Sequence, residues 1–550
     1  MLIGVSSKGR GRKSSKPVRR HPAYGQAGGP GRLREPDFRD GRDQVIKSLA
    51  LLADASGVRD AFEAEALVSA LLGIVIKRGV PEDRLARVLL DVIDELERHH
   101  EDYSHPALSV LALIGPPEAT EYAARAAERV ASREAQHAAR RDTEELPPDG
   151  SQQWIANLGN VTPGACRIAS SPTGEAHAVC CEFTYADGTR PHAVLAVLDS
   201  AWHGAAAPLV MAEGLPDVLG RLTKNARQIG AEVREVTAEE AAPPLLAGIE
   251  ALIQHGPPPE MHRDDESFTM SCANASMARS RIAMLLGPDR KVPGHDQMQV
   301  LWPQEARAKL AEEFLASPQA RELKDAASRT VPKILIGITV DGLGCDPRLV
   351  APLAIDRILG HLLPSQLVAP DRFGEVIPPV VRAWTEWLAE ERGLDKGQLR
   401  RLRLRMESAL RKFPELWNGP HASPTRRYVQ DVPDEVACDG NLLIPVIQRR
   451  EFAVPEPGDR ADGMAKSESR KAMRHVSELD AADALDRALI TMNDLNARGV
   501  PQQRWDSYVA VVEQLWADDP PEVWATGRRM LAAGKSREAI LDRLARGRDR

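Results

Sequence analysis

The spacing of hydrophobic and polar positions changes along this chain and divides it. From about residue 43, VIKSLALLADASG, FEAEALVSALLGIVIKRG and DRLARVLLDVIDELERHH place apolar residues three and four apart. That is the repeat of an amphipathic helix, and two of these segments stop at Gly. SHPALSVLALIG and PPEATEYAARAAERVASREAQ continue it, the second opening on prolines that suit a first helical turn. The pattern predicts a helical domain over 43–145, with no strict internal period. After ELPPDG the period falls to two. CRIAS, HAVCCEFTY, HAVLAVLD and GAAAPLVM read as strands separated by SPTGEA, ADGTRP and a third turn. LPDVLGRLTKNARQIG follows as a helix, AEVREVT as a strand, and AEEAAPPLLAGIEALIQHG as a helix interrupted by prolines. Consecutive strands on tight turns predict mainly antiparallel pairing in a small α+β domain at 151–256.

From 257 to 429 the helical repeat returns, clearest in FGEVIPPVVRAWTEWLAEERG and DKGQLRRLRLRMESALRKF. VPKILIGITVDGLG at 331–344 has the β-branched content of a strand but helical neighbours, and is read as helix. Scattered Pro, Gly and charge over 430–475 predict a flexible linker. Residues 476–550 predict a C-terminal helical module, and residues 1–42, rich in Gly, Ser, Pro and cations, a disordered basic tail. The fold class predicted is α+β, predominantly helical.

Composition agrees with that class. Aromatic residues are 4% of the chain while Ala, Leu and Arg dominate long segments, which favours helices. The net charge of −7 is unevenly spread: residues 1–42 hold 11 Lys/Arg against 3 Asp/Glu, a net of +8, leaving −15 on the rest. The six cysteines form no C-x-x-C pair, which predicts a reduced, cytoplasmic setting without a dithiol or zinc motif. The N-terminal cations are not followed by an apolar run, so no signal peptide is expected. The apolar run ALVSALLGIVI is too short for a membrane span, and no membrane partner is expected.

Candidate chemistry is sparse. In AVLDSAWHGAAAPLVM, Asp199 ends an apolar strand and His203 follows four residues later, a pair that could orient and tune one another in catalysis. Turn chemistry explains the same residues: Asp opens a turn with its side chain, and Gly204 supplies backbone freedom. In MHRDDES, His262 and Asp264 are candidates for a metal site, or for a solvated loop. The cluster His99, His100, Glu101, Asp102 and His105 lacks metal-ligand spacing and reads as a helix C-terminus. Gly534-Lys535-Ser536 is not a phosphate loop, because Arg529 stands where the first Gly is required. Gly534 reads instead as a helix end and Ser536 as the next cap. Cys180 and Cys181 read as packed strand residues. Lys8, Arg10, Arg12, Lys13, Lys16, Arg19 and Arg20 fall within 13 residues. They could neutralise phosphates in salt-sensitive, sequence-blind nucleic-acid binding, or serve as a solubilising tail.

Three stretches, 153–205, 347–392 and 505–546, resemble a family of large uncharacterised actinobacterial proteins. The resemblance rests on Trp154, Leu158 and Gly159, on the strand-ending Asp199 with Gly204, on DPRLVAPLAIDRILGHLLPSQL and VIPPVVRAWTEWLAEERGL, and on EQLWADDPPEVWATGRRMLAAGKSREAI. Relatives often keep a second acidic residue after the turn, where this chain has Ala205-Ala206-Ala207-Pro208. The resemblance implies helical architecture with an inserted sheet and a C-terminal helical domain of unknown function, and no activity.

Two functional readings follow. The first is a non-enzymatic interaction or scaffold protein with a protein partner, contacting nucleic acid through its basic tail and needing no cofactor. The second is a hydrolase-like enzyme, metal-dependent or not, with Asp199, His203, His262 and Asp264 meeting where the α+β and helical regions join.

Overall fold

The computed structural model describes residues 49, 58–99, 103–140, 150–171, 173–228, 231–287, 300–349, 351–454 and 479–548. The expected tail, 1–42, lies outside them. The chain forms two compact units: one runs to residue 301 and includes Leu343–Cys345, and the other comprises Trp302–Gly342 and Asp346 onward. The expected border at 256/257 falls inside the first unit. Among the described residues the architecture is predominantly helical, with one small antiparallel sheet in the first unit.

The described part of the first unit includes the successive helices α1 (Ala61–Lys77), α2 (Glu82–His99), α3 (Ser104–Ile114) and α4 (Pro117–Arg140). Asp60 caps α1 by accepting from the Glu63 amide at 3.0 Å. Strands β1 (Val161–Ser170), β2 (Ala176–Tyr185), β3 (His192–Asp199) and β4 (Ala205–Glu213) follow as a meander. Helix α5 (Leu215–Gln228) then leads to β5 (Val233–Val236), which returns to pair with β1, giving the order β4-β3-β2-β1-β5. Helices α6 (Ala238–His255) and α7 (Glu266–Leu286) complete the unit.

Strand alternation divides the sheet's faces. Val179, Cys181 and Phe183 of β2, with Val194, Ala196 and Leu198 of β3, face a core shared with α6, α7 and α1–α4. Ala169, Cys180 and Ala193 face the other way, beneath Leu222 and Ala226 of α5. Helix α6 is not interrupted at Pro243 and Pro244 as expected. Ala241, Ala242, Leu245, Leu246 and Ile249 are all buried, and that burial outweighs the two missing backbone donors. The outer edge of β4 is closed by α7: the Leu209 amide donates to Ser271 Oγ at 3.0 Å, and Asn274 Nδ2 donates to the Leu209 carbonyl at 3.1 Å.

Helices α1 and α7 touch backbone to backbone. Ser69 Oγ donates to the Ala273 carbonyl at 2.7 Å and accepts from the Met277 amide at 3.1 Å. A Cβ on Gly73 would lie 2.5 Å from Ala273 Cα. Only hydrogen fits there.

The second unit contains α8 (Gln304–Leu315), α9 (Ala326–Gly337), α10 (Pro352–Arg357), α11 (Leu363–Gln366), α12 (Phe373–Glu391) and α13 (Lys396–Trp417). Helix α9 runs on into a π-helical turn at Ile338–Gly342, so the ambiguous segment is helical up to Gly342. Burial of Val331, Leu335, Ile336 and Val340 along one side overrides the β preference of its branched residues. Next come α14 (Asp434–Ala437) and α15 (Gly440–Ala453), inside the segment expected to be linker. Asp439 caps α15 through the Asn441 amide, and Leu443 and Ala453 pack with Tyr428, Val429 and Val432. The remainder of that segment, 455–475, lies outside the described residues. Helices α16 (Ala484–Ala497), α17 (Trp505–Ala517), α18 (Pro521–Ala532) and α19 (Arg537–Arg548) close the chain. Among the described residues no helix is long and apolar enough to cross a membrane.

The α1–α7 contact gives a test with an internal control. On helix propensity alone Gly→Ala stabilises by roughly 1 kcal/mol. Gly220→Ala in α5, where a Cβ meets nothing within 4 Å, should show that gain. Gly73→Ala should instead destabilise by about 1–3 kcal/mol through overpacking. Urea unfolding of both variants checks the opposite signs.

Candidate functional site

The β3–β4 turn holds the first pair of candidates. Asp199 Oδ1 accepts from the Ala201 amide at 3.0 Å, and its carbonyl accepts from the Trp202 amide at 2.9 Å. His203 and Gly204 take the left-handed backbone, at φ 52° and 69°, that reverses the chain into β4. The His203 ring stacks on His255, the last residue of α6, with centroids 3.7 Å apart and planes 3° from parallel. Trp202 Nε1 donates to the Gly256 carbonyl at 3.2 Å. Leu343–Cys345 covers the turn: the His203 amide donates to the Leu343 carbonyl at 2.6 Å, and Gly344 approaches so closely that a Cβ would lie 2.0 Å from His203 Nδ1. Asp199 and His203 thus form a hairpin turn docked on a helix end, with the imidazole stacked on His255 and closely approached by Gly344.

His262 and Asp264 lie on the exposed loop before α7. Asp264, with a side chain 97% exposed, pairs with Lys77 at 3.1 Å. The His262 carbonyl accepts from the amide of Asp265, which caps α7. Among the described residues no group of three or more His, Cys, Asp and Glu could hold a metal ion. His99 ends α2 and His105 lies in the first turn of α3, while His100, Glu101 and Asp102 lie outside the described residues. The seven tail cations from Lys8 to Arg20 also lie outside them. Gly534 follows α18 with φ 73°, and Ser536 Oγ accepts from the Ala539 amide at the start of α19, as the cap reading requires. Burial pushes the Cys180 thiol up to about 12, so it stays protonated and poorly nucleophilic.

The most unusual polar group was not visible in the sequence. Glu65 of α1 and Arg281 of α7 are both fully buried and paired through Arg281 Nη2 and Glu65 Oε2. The same Nη2 donates to the Tyr185 hydroxyl at 2.9 Å, and that hydroxyl donates to Glu65 Oε1 at 3.1 Å. Arg281 Nε donates to His192 Nε2 at 3.3 Å, and His192 Nδ1 donates to the Arg190 carbonyl at 2.7 Å. Those bonds assign His192 as the neutral Nδ1–H tautomer. Arg190 ion-pairs with Asp60, Glu63 and Glu213, each at 2.7 Å, and holds the β2–β3 loop against the start of α1.

Electrostatics follow from burial. Desolvation, aided by the Arg281 charge, depresses His192 to about 4. Desolvation raises Glu65 above the usual carboxylate range although Arg281 and Tyr185 favour its charged form. The cluster ties together two helices and two strands. Its only sequence signals are Arg281, one of two Arg in the run ANASMARSRIAMLL, and Glu65, one of two Glu in FEAEALVSALL, 216 residues apart. In the second unit, a cavity beside Leu335, Thr339, Ile358 and Trp384 has about 30 Å³ of space, room for a water but not for a substrate.

No protein-family model, curated protein or solved structure matches this chain. Its functional reading therefore rests on its own residues.

Two predictions concern the buried cluster. Arg281→Met leaves Glu65 buried without its cation and should cost about 3–5 kcal/mol, part of which Arg281→Met with Glu65→Leu should restore. Urea unfolding of the single and double variants measures both. The second concerns pH. His192 takes up its proton near 6.5 when unfolded but only near 4 when folded. Its contribution is complete above pH 6.5 and is lost as pH falls towards 4. Glu65, raised by burial, acts in the opposite sense, so the histidine contribution is read as the difference between wild type and His192→Gln. That difference should shrink by about 2–3 kcal/mol between pH 7 and pH 4.5, at 1.36 kcal/mol per unit.

Proposed function

We propose that this protein is a non-enzymatic interaction protein that contacts nucleic acid through basic surfaces, in the first place the segment containing Lys8, Arg10, Arg12, Lys13, Lys16, Arg19 and Arg20. The observation that carries the reading is charge separation: +8 on residues 1–42 against −15 on the rest. A strongly cationic segment in a chain whose remainder is net acidic confines polyanion contact to locally basic surfaces. No aromatic residue is interleaved among the seven cations, so the contact is with phosphates rather than with stacked bases. The geometry of the described residues supports the same reading. Asp199 and His203 are engaged in a docked hairpin, and the buried Glu65–Arg281 cluster works as a clasp. Six free thiols, five of them buried, fit a reducing compartment, and a cytoplasmic location belongs to this proposal. So does membership of the actinobacterial family that the sequence resembles.

The test is duplex binding followed by fluorescence anisotropy. The full chain should bind duplexes of unrelated sequence with similar affinity. Its log K should fall linearly with log salt at a slope of about −0.9 per phosphate contacted. Deleting residues 1–20 should weaken binding at least tenfold at low salt and flatten the slope by up to about 6, as seven cations at that coefficient require. A full chain with no salt-dependent binding would sink the reading.

A further inference from the structure

We propose that helix α13 is a second nucleic-acid contact, a rigid cationic face that binds the phosphate backbone. This rests on the reading above and names a surface the sequence did not single out. Helix α13 buries Leu402, Met406, Leu410, Phe413 and Trp417 along one stripe. At ~3.6 residues per turn, the side facing away from that stripe carries Arg400, Arg401, Leu404, Arg411 and Lys412, with a single carboxylate, Glu415, among them, all exposed. The flanking arginines are engaged: Arg403 pairs with Glu386 at 2.6 Å and Arg405 with Asp356 at 2.5 Å. Arg400, Arg401 and Lys412 have no ion-pair partner among the described residues. Lys396, Arg400, Arg403 and Arg411 also border a shallow surface depression of about 340 Å³.

Arg400 and Arg401 do not stabilise the helix locally: the pairs Lys396/Arg400 and Arg401/Arg405 are like charges four apart. An external polyanion relieves that repulsion. Arg400 and Lys412 are ~18 Å apart along the axis, the length of about five base-pair steps of a duplex axis at ~3.4 Å each. Leu404, 63% exposed, offers one apolar contact to the sugars between them. One leucine is too little apolar surface for a helix lying in a membrane interface, which uses a whole apolar face.

The experiment compares four proteins with fluorescent duplexes of unrelated sequence across ~50–200 mM salt. They are the full chain, the chain lacking residues 1–20, the full chain carrying Arg400→Glu, Arg401→Glu and Lys412→Glu, and the combination. The tail-deleted protein should keep a residual, salt-sensitive affinity. The triple substitution should reduce that residual affinity at least tenfold and flatten its slope by about 3, from three lost contacts at ~0.9 each. A glutamine version of the triple variant should show a smaller loss of the same sign, and serves in its place if the charge reversal disturbs the circular dichroism spectrum. If the tail-deleted protein binds duplex equally with and without the substitutions, α13 is not a contact, and the tail reading is judged separately by the loss between the full chain and the tail deletion. If the substitutions abolish binding while tail deletion has no effect, α13 is the contact and the tail reading fails. Residual binding to phosphatidylserine vesicles but not to duplex would overturn the proposal in favour of a membrane surface.

Discussion

Burial of arginine is the constraint on which both units depend. A guanidinium stays charged at any physiological pH, so every one removed from water must be given acceptors or an aromatic face. Arg281 finds them in Glu65, Tyr185 and His192. In the second unit Arg426 lies 3.6 Å from the centroid of the buried Trp417 and donates to Ala369 and Asp371. Arg450 and Arg487 both stack on Trp516, at 4.4 and 4.5 Å, and pair with Asp431 and Glu513. Several of the few aromatic residues, Tyr185, Trp417, Tyr428, Tyr508 and Trp516 among them, thus pack against guanidinium planes.

That constraint also orders the first unit. Glu65 and Arg281 sit on helices separated by the whole sheet in sequence, and their pairing requires α1 and α7 to run side by side. Gly73 and Ser69 allow the close approach that this requires. Tyr185 at the end of β2 and His192 at the start of β3 then place one end of the sheet against the same pair of helices. The helical and strand-rich segments, distinct in their sequence periodicity, share one core as a result.

The candidate residues divide by how local their chemistry is. Asp199 and Gly204 were legible as a turn, because an Asx hydrogen bond and a positive φ depend on neighbours in the chain. Gly534 and Ser536 were legible as helix-end signals for the same reason. His203 was legible only as a turn residue: its stacking on His255 and its cover by Leu343–Cys345 join positions far apart. The Glu65–Arg281 cluster was not legible at all, since nothing in the sequence separates buried Glu65 from Glu63, or buried Arg281 from Arg279, and neither carries a mark of its partner. The cations of α13 were visible as letters, but which of them are paired depends on Glu386 and Asp356.

The sequence by itself determined the helical class, the antiparallel meander and its turns, and the charge asymmetry between tail and body. These follow from periodicity, turn chemistry and composition, which act over a few residues or over the whole chain. Tertiary structure decided that α6 runs through two prolines, that 331–342 is helical, and that 434–453 folds within a segment rich in loop formers. It also decided which arginines are buried and which stay open to solvent. In each case burial against distant side chains outweighs a local preference of about 1 kcal/mol or, at proline, about 3, and burial is a property that no short window of sequence contains.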